Sequence, residues 1–250
     1  TPGNVVTGML AGFEPAPFAP RSPAPPPAGR FNNGANAAPS YVTGCVAGAC
    51  GGTGTVKSER VLTHTIRSPF FTGPLRSPSR LQNTFAHESF MDEVAARVKA
   101  DPVAYRLRHL RDPRLIDVVK AAAKAAAWES RPSPRPSPGP VAHGRGIACV
   151  LYEGDNGYCA LVAEVDVDRA SGGIAVKRLV ASQDCGPISS PDGMKNQIEG
   201  GALQGMSRAL GEAVTWDDKK VTSVDWRTYH SLTLGADVPA IESVLINQPD

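Results

Sequence analysis

The sequence predicts an α+β fold, on three observations. Residues 81–128 carry apolar positions at helical spacing, residues 143–182 alternate as strands do, and another helical pattern opens at Asn196. A proline-rich stretch, ESRPSPRPSPG at 129–139, divides the helical part from the β part. The expected organisation is a first lobe at 1–128, a linker at 129–143 and a second lobe at 144–250.

Along the chain, residues 1–11 suggest the end of a strand or helix. Residues 15–40 form a Pro-rich loop in which Pro23 to Pro27 favour polyproline II. Loops this long in a compact domain are linkers, or they serve function or wrap a neighbour. GCVAGACGGTG at 44–54 lacks the GxGxxG spacing of a dinucleotide loop and is read as irregular. VLTHTIR at 61–67 alternates and predicts a strand, in which a lone His64 is more simply packed than catalytic. TGPLRSPSR places Arg76 and Arg80 among Gly, Pro and Ser, which suits either an anion contact or a basic surface turn.

A helix is expected over 81–99, with Leu81, Phe85, Glu88 and Met91 on one face. Asp101-Pro102 starts the next helix, Asp as N-cap and Pro as first helical residue. Arg106, Arg108, Arg111 and Arg114 are expected on a solvated or inter-subunit face. Residues 115–128 are Ala-rich and helical. After a turn at 153–157, Leu161, Ala163, Val165 and Val167 should face inward. Glu164, Asp166 and Asp168 should face out, as an exposed sheet face rather than a metal site. The apolar phase slips near Arg178, which suggests a bulge. Residues 185–193 predict a loop, then a helix from Asn196 burying Ile198, Ala202, Met206 and Leu210. A hairpin of 213–216 with 221–226 and a final strand at 240–247 complete the reading.

Bulk properties limit the function. The 250 residues are 41% hydrophobic and 20% charged, with net charge +2, so nothing argues for nucleic acid or an anionic membrane surface. No run reaches the roughly 18 apolar residues of a membrane span. No signal peptide is recognisable, and the compartment stays open between periplasm and cytoplasm. Five cysteines, at 45, 50, 149, 159 and 185, fit free, partly buried thiols. A Cys45–Cys50 disulfide is the alternative, and the spacing does not make a zinc or iron–sulfur site. The abrupt start at Thr1 suggests a fragment or a cleaved subunit.

The most informative stretch is DCGPISSPDGMKNQIEGGALQG, from Asp184 to Gly205. Gln197, Gly201 and Gln204 share a helical stripe, and two adjacent glycines inside a helix cost about 1 kcal/mol each against alanine. Either the amides and bare backbone meet a polar ligand, or the glycines allow tight packing against another helix. This stretch resembles the D-x-G…N-P…Q-x-E-G-G…Q-G segment of the molybdopterin-binding large subunits of the xanthine dehydrogenase/aldehyde oxidase family, above all the isoquinoline 1-oxidoreductase/nicotinate dehydrogenase-like branch. Asp184, Gly186, Pro191, Gln197, Glu199, Gly200, Gly201, Gln204 and Gly205 match, and Ser190 stands where the branch usually has Asn. Residues 75–91 resemble the family's F-R-G-F-G-x-P-Q…A-E segment through Arg76, Gln82 and Glu88, with Ser77 and Ser79 in place of glycines.

The resemblance implies the C-terminal portion of the molybdopterin-binding domains of a molybdenum hydroxylase large subunit. Such an enzyme oxidises an aldehyde or hydroxylates an N-heterocycle with water-derived oxygen and passes electrons to [2Fe-2S] clusters on a partner chain. By resemblance, Gln197 hydrogen-bonds the molybdenum site. Arg76, Ser77, Gly200, Gly201 and Gln204 join it around a molybdopterin cytosine dinucleotide, and Pro78 faces the substrate where an aromatic stands in relatives that stack a purine. The implied partners are the remaining molybdopterin subunit, a small [2Fe-2S] subunit, and a cytochrome c or other acceptor. No protein side chain is expected to ligate the metal. The family's general-base glutamate, in a G-x-G-E segment, is expected beyond Asp250, so these residues alone should not turn over substrate. The cysteine-bearing active loop of carbon monoxide dehydrogenase-like members is not found. A non-catalytic cofactor-binding or assembly scaffold is the alternative from another class.

Overall fold

The computed structural model describes residues 45–46, 49–50, 76–77, 80–152, 156–233, 235 and 238–248. The expectations for 1–11, for the Pro-rich loop, for the strand with His64, for Pro78 and for the Cys45 and Cys50 side chains lie outside the described residues.

Among the described residues the first elements are β1 (Cys45–Val46) and β2 (Ala49–Cys50), an antiparallel pair. Three helices follow: α1 (Arg80–Arg97), α2 (Pro102–His109) and α3 (Pro113–Ala125). Asp101 caps α2 as expected, its Oδ1 accepting from the Ala104 N–H at 2.8 Å. Asp112 repeats the device ahead of Pro113, accepting from Arg114 N at 2.9 Å, so α3 begins two residues before its apolar pattern does. Leu115, Val118, Val119 and Ala122 form the buried stripe of α3.

The sheet has the order β3-β4-β5-β6, from β3 (Val141–Tyr152), β4 (Gly157–Asp168), β5 (Ile174–Asp184) and β6 (Ala240–Ile246). Between β5 and β6 lies α4 (Pro191–Leu210), packed on both strands. The architecture is mixed α+β, as the sequence predicted.

By contacts the chain forms two compact units. One contains α1, α2, α3 as far as Lys120, Glu129–Pro134 and Ala148–Ala160; the other contains Ala121–Trp128, Arg135–Ile147 and the chain from Leu161.

Four expectations need correction or narrowing. In β4 Gly157, Tyr158, Ala160 and Val162 are buried and Asp168 is exposed as expected, but residues 163–167 are all half-buried, so Glu164 and Asp166, in the phase of Tyr158, Ala160 and Val162, are not on a solvent face. The acidic residues thus continue the core-facing side beyond the core's edge, and cross-strand pairing accommodates them. His143 Nδ1 lies 2.5 Å from Asp166, and Arg178 lies 3.5 Å from Glu164 and 2.6 Å from Glu242. The phase slip in β5 is no bulge on the β6 side, because the register runs one for one from Arg178↔Ala240 to Asp184↔Ile246. Leu179 to Ser182 are simply buried on both faces, as strands covered on two sides are. The expected hairpin of 213–226 shrinks to one bridge, Trp216↔Val221, around a turn capped by Asp217.

The fourth correction concerns Arg106, which is fully buried rather than solvated. It lies between Val103 and Leu110 on the buried stripe of α2. That spacing is the sequence signal for its burial. Arg114, expected on the same face, has its guanidinium 4.6 Å from the Tyr158 ring centre.

Candidate functional site

Strand β5 leads through α4 to the parallel strand β6, so both strands end on the same side, at Asp184 and Ile246. Ligands in open α/β sheets gather at such carboxyl ends. Asp184 is fully buried, and its Oδ1 accepts from Gly186 N at 2.9 Å. Gly186 has φ +86°, a conformation that favours glycine. The Ile188 N–H donates to Asn247 Oδ1 at 3.0 Å.

Helix α4 begins at Pro191, five residues ahead of the expected Asn196. Proline at the first helical position has φ preset and gives up an N–H that would be orphaned anyway. Of the predicted stripe, Ile198 and Met206 are buried, Ala202 is half-buried, and Leu210 is 45% exposed. Ser207 joins the buried side, where its Oγ accepts from Leu232 N at 2.8 Å. Tyr229 donates its hydroxyl to Glu212 at 2.6 Å just beyond the helix. Hydrogen bonds from Ser207 and then from Tyr229 hold the Glu212 carboxyl below its ordinary range.

The other side of α4 is bare. Gln197, Gly200 and Gln204 are exposed, with Gly201 and Gly205 half-buried. A Cβ added at Gly200, Gly201 or Gly205 would meet nothing within 4 Å. Among the described residues, therefore, no helix packs against these glycines, and the tight-packing account of them fails. What remains is a flat strip of backbone flanked by two amides, each with donors and an acceptor.

A molybdopterin cofactor-binding domain matches residues 118–239, which take in β3, β4, β5 and α4. A nicotinate dehydrogenase chain of Pseudomonas putida is 41% identical over 180 residues, covering 69% of this chain and 15% of that protein. The beta chain of isoquinoline 1-oxidoreductase from Brevundimonas diminuta is 38% identical over 134 residues, 53% of this chain and 16% of that protein.

The chain belongs to the molybdopterin-binding xanthine dehydrogenase/aldehyde oxidase family. It spans about a sixth of the length of those two relatives. The fold agrees: the aldehyde oxidoreductase from Desulfovibrio desulfuricans aligns with a TM-score of 0.58 at 14% identity, over 72% of this chain and 36% of that one.

Of the residues predicted for the family's cofactor site, Gln197, Gly200, Gly201 and Gln204 stand together on the bare side of α4. Arg76 and Ser77 are exposed and belong to the other compact unit, with Ser77 at φ +64°. A large planar group pressed against a backbone needs a strip without side chains, and the glycine side of α4 meets that requirement.

The family motif's Glu88 has a structural place that sequence reasoning missed. It is 4% exposed, and its Oε2 accepts from Arg106 Nε at 2.8 Å and from Cys149 N at 2.9 Å. His87 Nδ1 lies 2.9 Å from Oε1. Arg106 also donates to Asp92 Oδ1 at 2.6 Å and to the carbonyl oxygens of Pro102 and Glu88. Burial alone would push the Glu88 carboxyl up. The His87 hydrogen bond and the Arg106 charge outweigh it and hold the group below its ordinary range. Asp92 goes the other way, because burial there outweighs a single contact with Arg106 and Glu88 repels it. Burial and the neighbouring Glu88 charge push the Cys149 thiol far up, and burial raises Cys159 to about 11, so neither is a ready thiolate. Cys185 is the exposed thiol among the described residues. Among those residues, too, no helix is long and apolar enough to cross a membrane.

Proposed function

We propose that this chain is part of a molybdenum hydroxylase, a molybdenum-dependent oxidoreductase in which the bare side of α4 lies against the cofactor. The observation that carries the reading is that glycine strip, kept open by the chain on the helix where the family motif falls. The names of the relatives, a nicotinate dehydrogenase and an isoquinoline 1-oxidoreductase, support oxidation of an N-heterocycle; an aldehyde as the other substrate and water as the oxygen source are what the family resemblance implies.

When bound, the molybdenum cofactor supplies the redox centre and the oxygen-transfer chemistry. The chain's residues bind and orient. Gln197 offers an amide hydrogen bond toward the metal centre, Gly200 and Gly201 permit close approach, and Gln204 adds a second amide. By the family resemblance alone, Arg76 and Ser77 would serve the pterin and Pro78 the substrate. We assign the cofactor as the cytosine dinucleotide form, with [2Fe-2S] clusters on a small partner subunit and a cytochrome c or similar acceptor downstream. Residues 1–128 and 144–250 are assigned to parts of the first and second cofactor-binding lobes.

The general base is assigned to a glutamate outside these residues. Five candidates are already engaged within the chain: Glu88 with Arg106, Glu164 and Glu242 with Arg178, Glu199 with Ser243, and Glu212 with Tyr229.

The test is Gln197→Ala in the assembled enzyme. Its exposure predicts an unchanged melting temperature, and loss of a preorganised donor predicts a fall in kcat of about a hundredfold or more. Unchanged kcat at full molybdenum content would refute the assignment. A fully assembled complex without molybdenum or pterin would point instead to a scaffold subunit.

A further inference from the structure

We propose that Asn247 is a positioning residue for the bare side of α4, acting by tethering the loop from which the helix starts; this rests on the cofactor reading above.

The placement follows from the strand register. Asp184 pairs with Ile246, so Asn247 is the first residue past the paired end of β6, where the 185–190 loop leaves β5. Its Oδ1 accepts the Ile188 N–H at 3.0 Å, across 59 residues of sequence. The loop has few other means of holding itself. Pro187 and Pro191 have no N–H to give. Gly186 is in the left-handed region, and Ser190 at the N-cap makes no side-chain cap bond. Hydrogen bonds described for the loop backbone are at its start, Gly186 to Asp184, at its middle, Ile188 to Asn247, and at its end, where Ser190 O accepts from Met194 N; Cys185 Sγ also lies 4.0 Å from Met194 Sδ.

Gln197 follows six residues after Pro191, about 9 Å along the helix axis. Among the described residues, none lies within 4 Å of a Cβ added at Gly200, Gly201 or Gly205 on this side of α4. The far end of the helix is secured through Ser207–Leu232 and Tyr229–Glu212, whereas at the near end the described anchors include the loop, buried Ile198, the Cys185–Met194 contact of 4.0 Å and a long Ser243–Glu199 contact of 3.4 Å. The Asn247 bond is solvent-exposed. Its removal should barely alter global stability, yet a shift of about 1 Å in a positioning element can cost a hundredfold in rate. This separation of local order from global stability identifies a positioning role.

The experiment uses the assembled holoenzyme with Asn247→Ala and Asn247→Asp. For Asn247→Ala, the amide exchange of the 185–190 loop is expected to rise about fivefold, the worth of one ordinary hydrogen bond. The melting temperature should stay unchanged, and the Mo(V) electron paramagnetic resonance signal should shift or split. Asn247→Asp keeps an oxygen acceptor in the same place and should restore both exchange and signal. The proposal is overturned if Asn247→Ala leaves exchange as in wild type. It is equally overturned if the metal signal is unaltered despite faster exchange, or if Asn247→Asp behaves like Asn247→Ala. Wild-type assembled enzyme without molybdenum would overturn the cofactor reading itself, and the exchange measurement would then report the tether alone.

Discussion

The Glu88–Arg106 cluster and the bare side of α4 are both polar, both helical and both part of family motifs, yet the chain treats them in opposite ways. Around Arg106 and Glu88, hydrogen bonds from two helices and a strand converge, and the guanidinium has no exposure. Along Gln197, Gly200, Gly201 and Gln204 the amides are exposed, and the glycine backbone has no neighbour within reach of an added Cβ. A polar group whose partners all lie in its own chain holds the fold together. Exposed amides beside backbone that no described residue covers can be reached from outside. On this difference rests our proposal that the first region serves architecture and the second the cofactor.

The comparison can be broken most forcefully at Arg106. Arg106→Ala leaves the Glu88 carboxylate buried without its charge partner, which costs about 3–5 kcal/mol in comparable buried pairs. Chemical denaturation should show that loss in full. A loss under about 1 kcal/mol, the range of an exposed pair, would mean that the cluster is not a closed structural unit.

Acid gives a smaller effect with a definite sign. The folded Glu88 carboxyl sits below its ordinary value, so the folded state binds that proton less readily than the unfolded chain does. Its stabilisation is present above the unfolded value of about 4.3 and is lost as the pH falls through the folded value. Asp92, raised by burial, acts in the opposite direction and damps the effect. Denaturation midpoints followed downward from pH 6 should therefore drop for the wild type and run flatter for Glu88→Gln. Parallel curves would remove Glu88 as the acid-sensitive group.

Much of this contrast was legible in the sequence, for reasons that differ by region. Asp101-Pro102 announced a capped helix because capping is local chemistry, and the cap is there. The helix with Gln197 was legible from spacing and its identity from the motif, but its start was not, because a loop rich in Gly, Pro and Ser hid a proline suited to the first turn. Arg106 was misjudged because three other arginines within eight residues, Arg108, Arg111 and Arg114, suggested a solvated face. Its position between Val103 and Leu110 on the buried stripe outweighed its charge. The two faces of β4 were read as more unlike than they are, because Leu161, Val165 and Val167 are more apolar than Glu164 and Asp166, yet all five are half-buried. The decisive residues were Tyr158, Ala160 and Val162 one strand-half earlier, together with cross-strand partners that alternation alone cannot show. The absence of any packed neighbour at Gly200 and Gly201 is a tertiary fact, and no local pattern carries it.

The smallest energetic effect gives the sharpest test. Alanine in place of glycine in an exposed helix adds up to about 1 kcal/mol of helix stability. At Gly201 the new methyl group meets nothing within 4 Å among the described residues. Measuring the thermal stability and molybdenum content of the Gly201→Ala assembled enzyme side by side tests the central claim directly. The account predicts that the fold becomes slightly more stable while molybdenum retention and turnover fall, because the methyl group occupies the strip where the cofactor lies. A stabilised variant with full molybdenum content and wild-type turnover would contradict it.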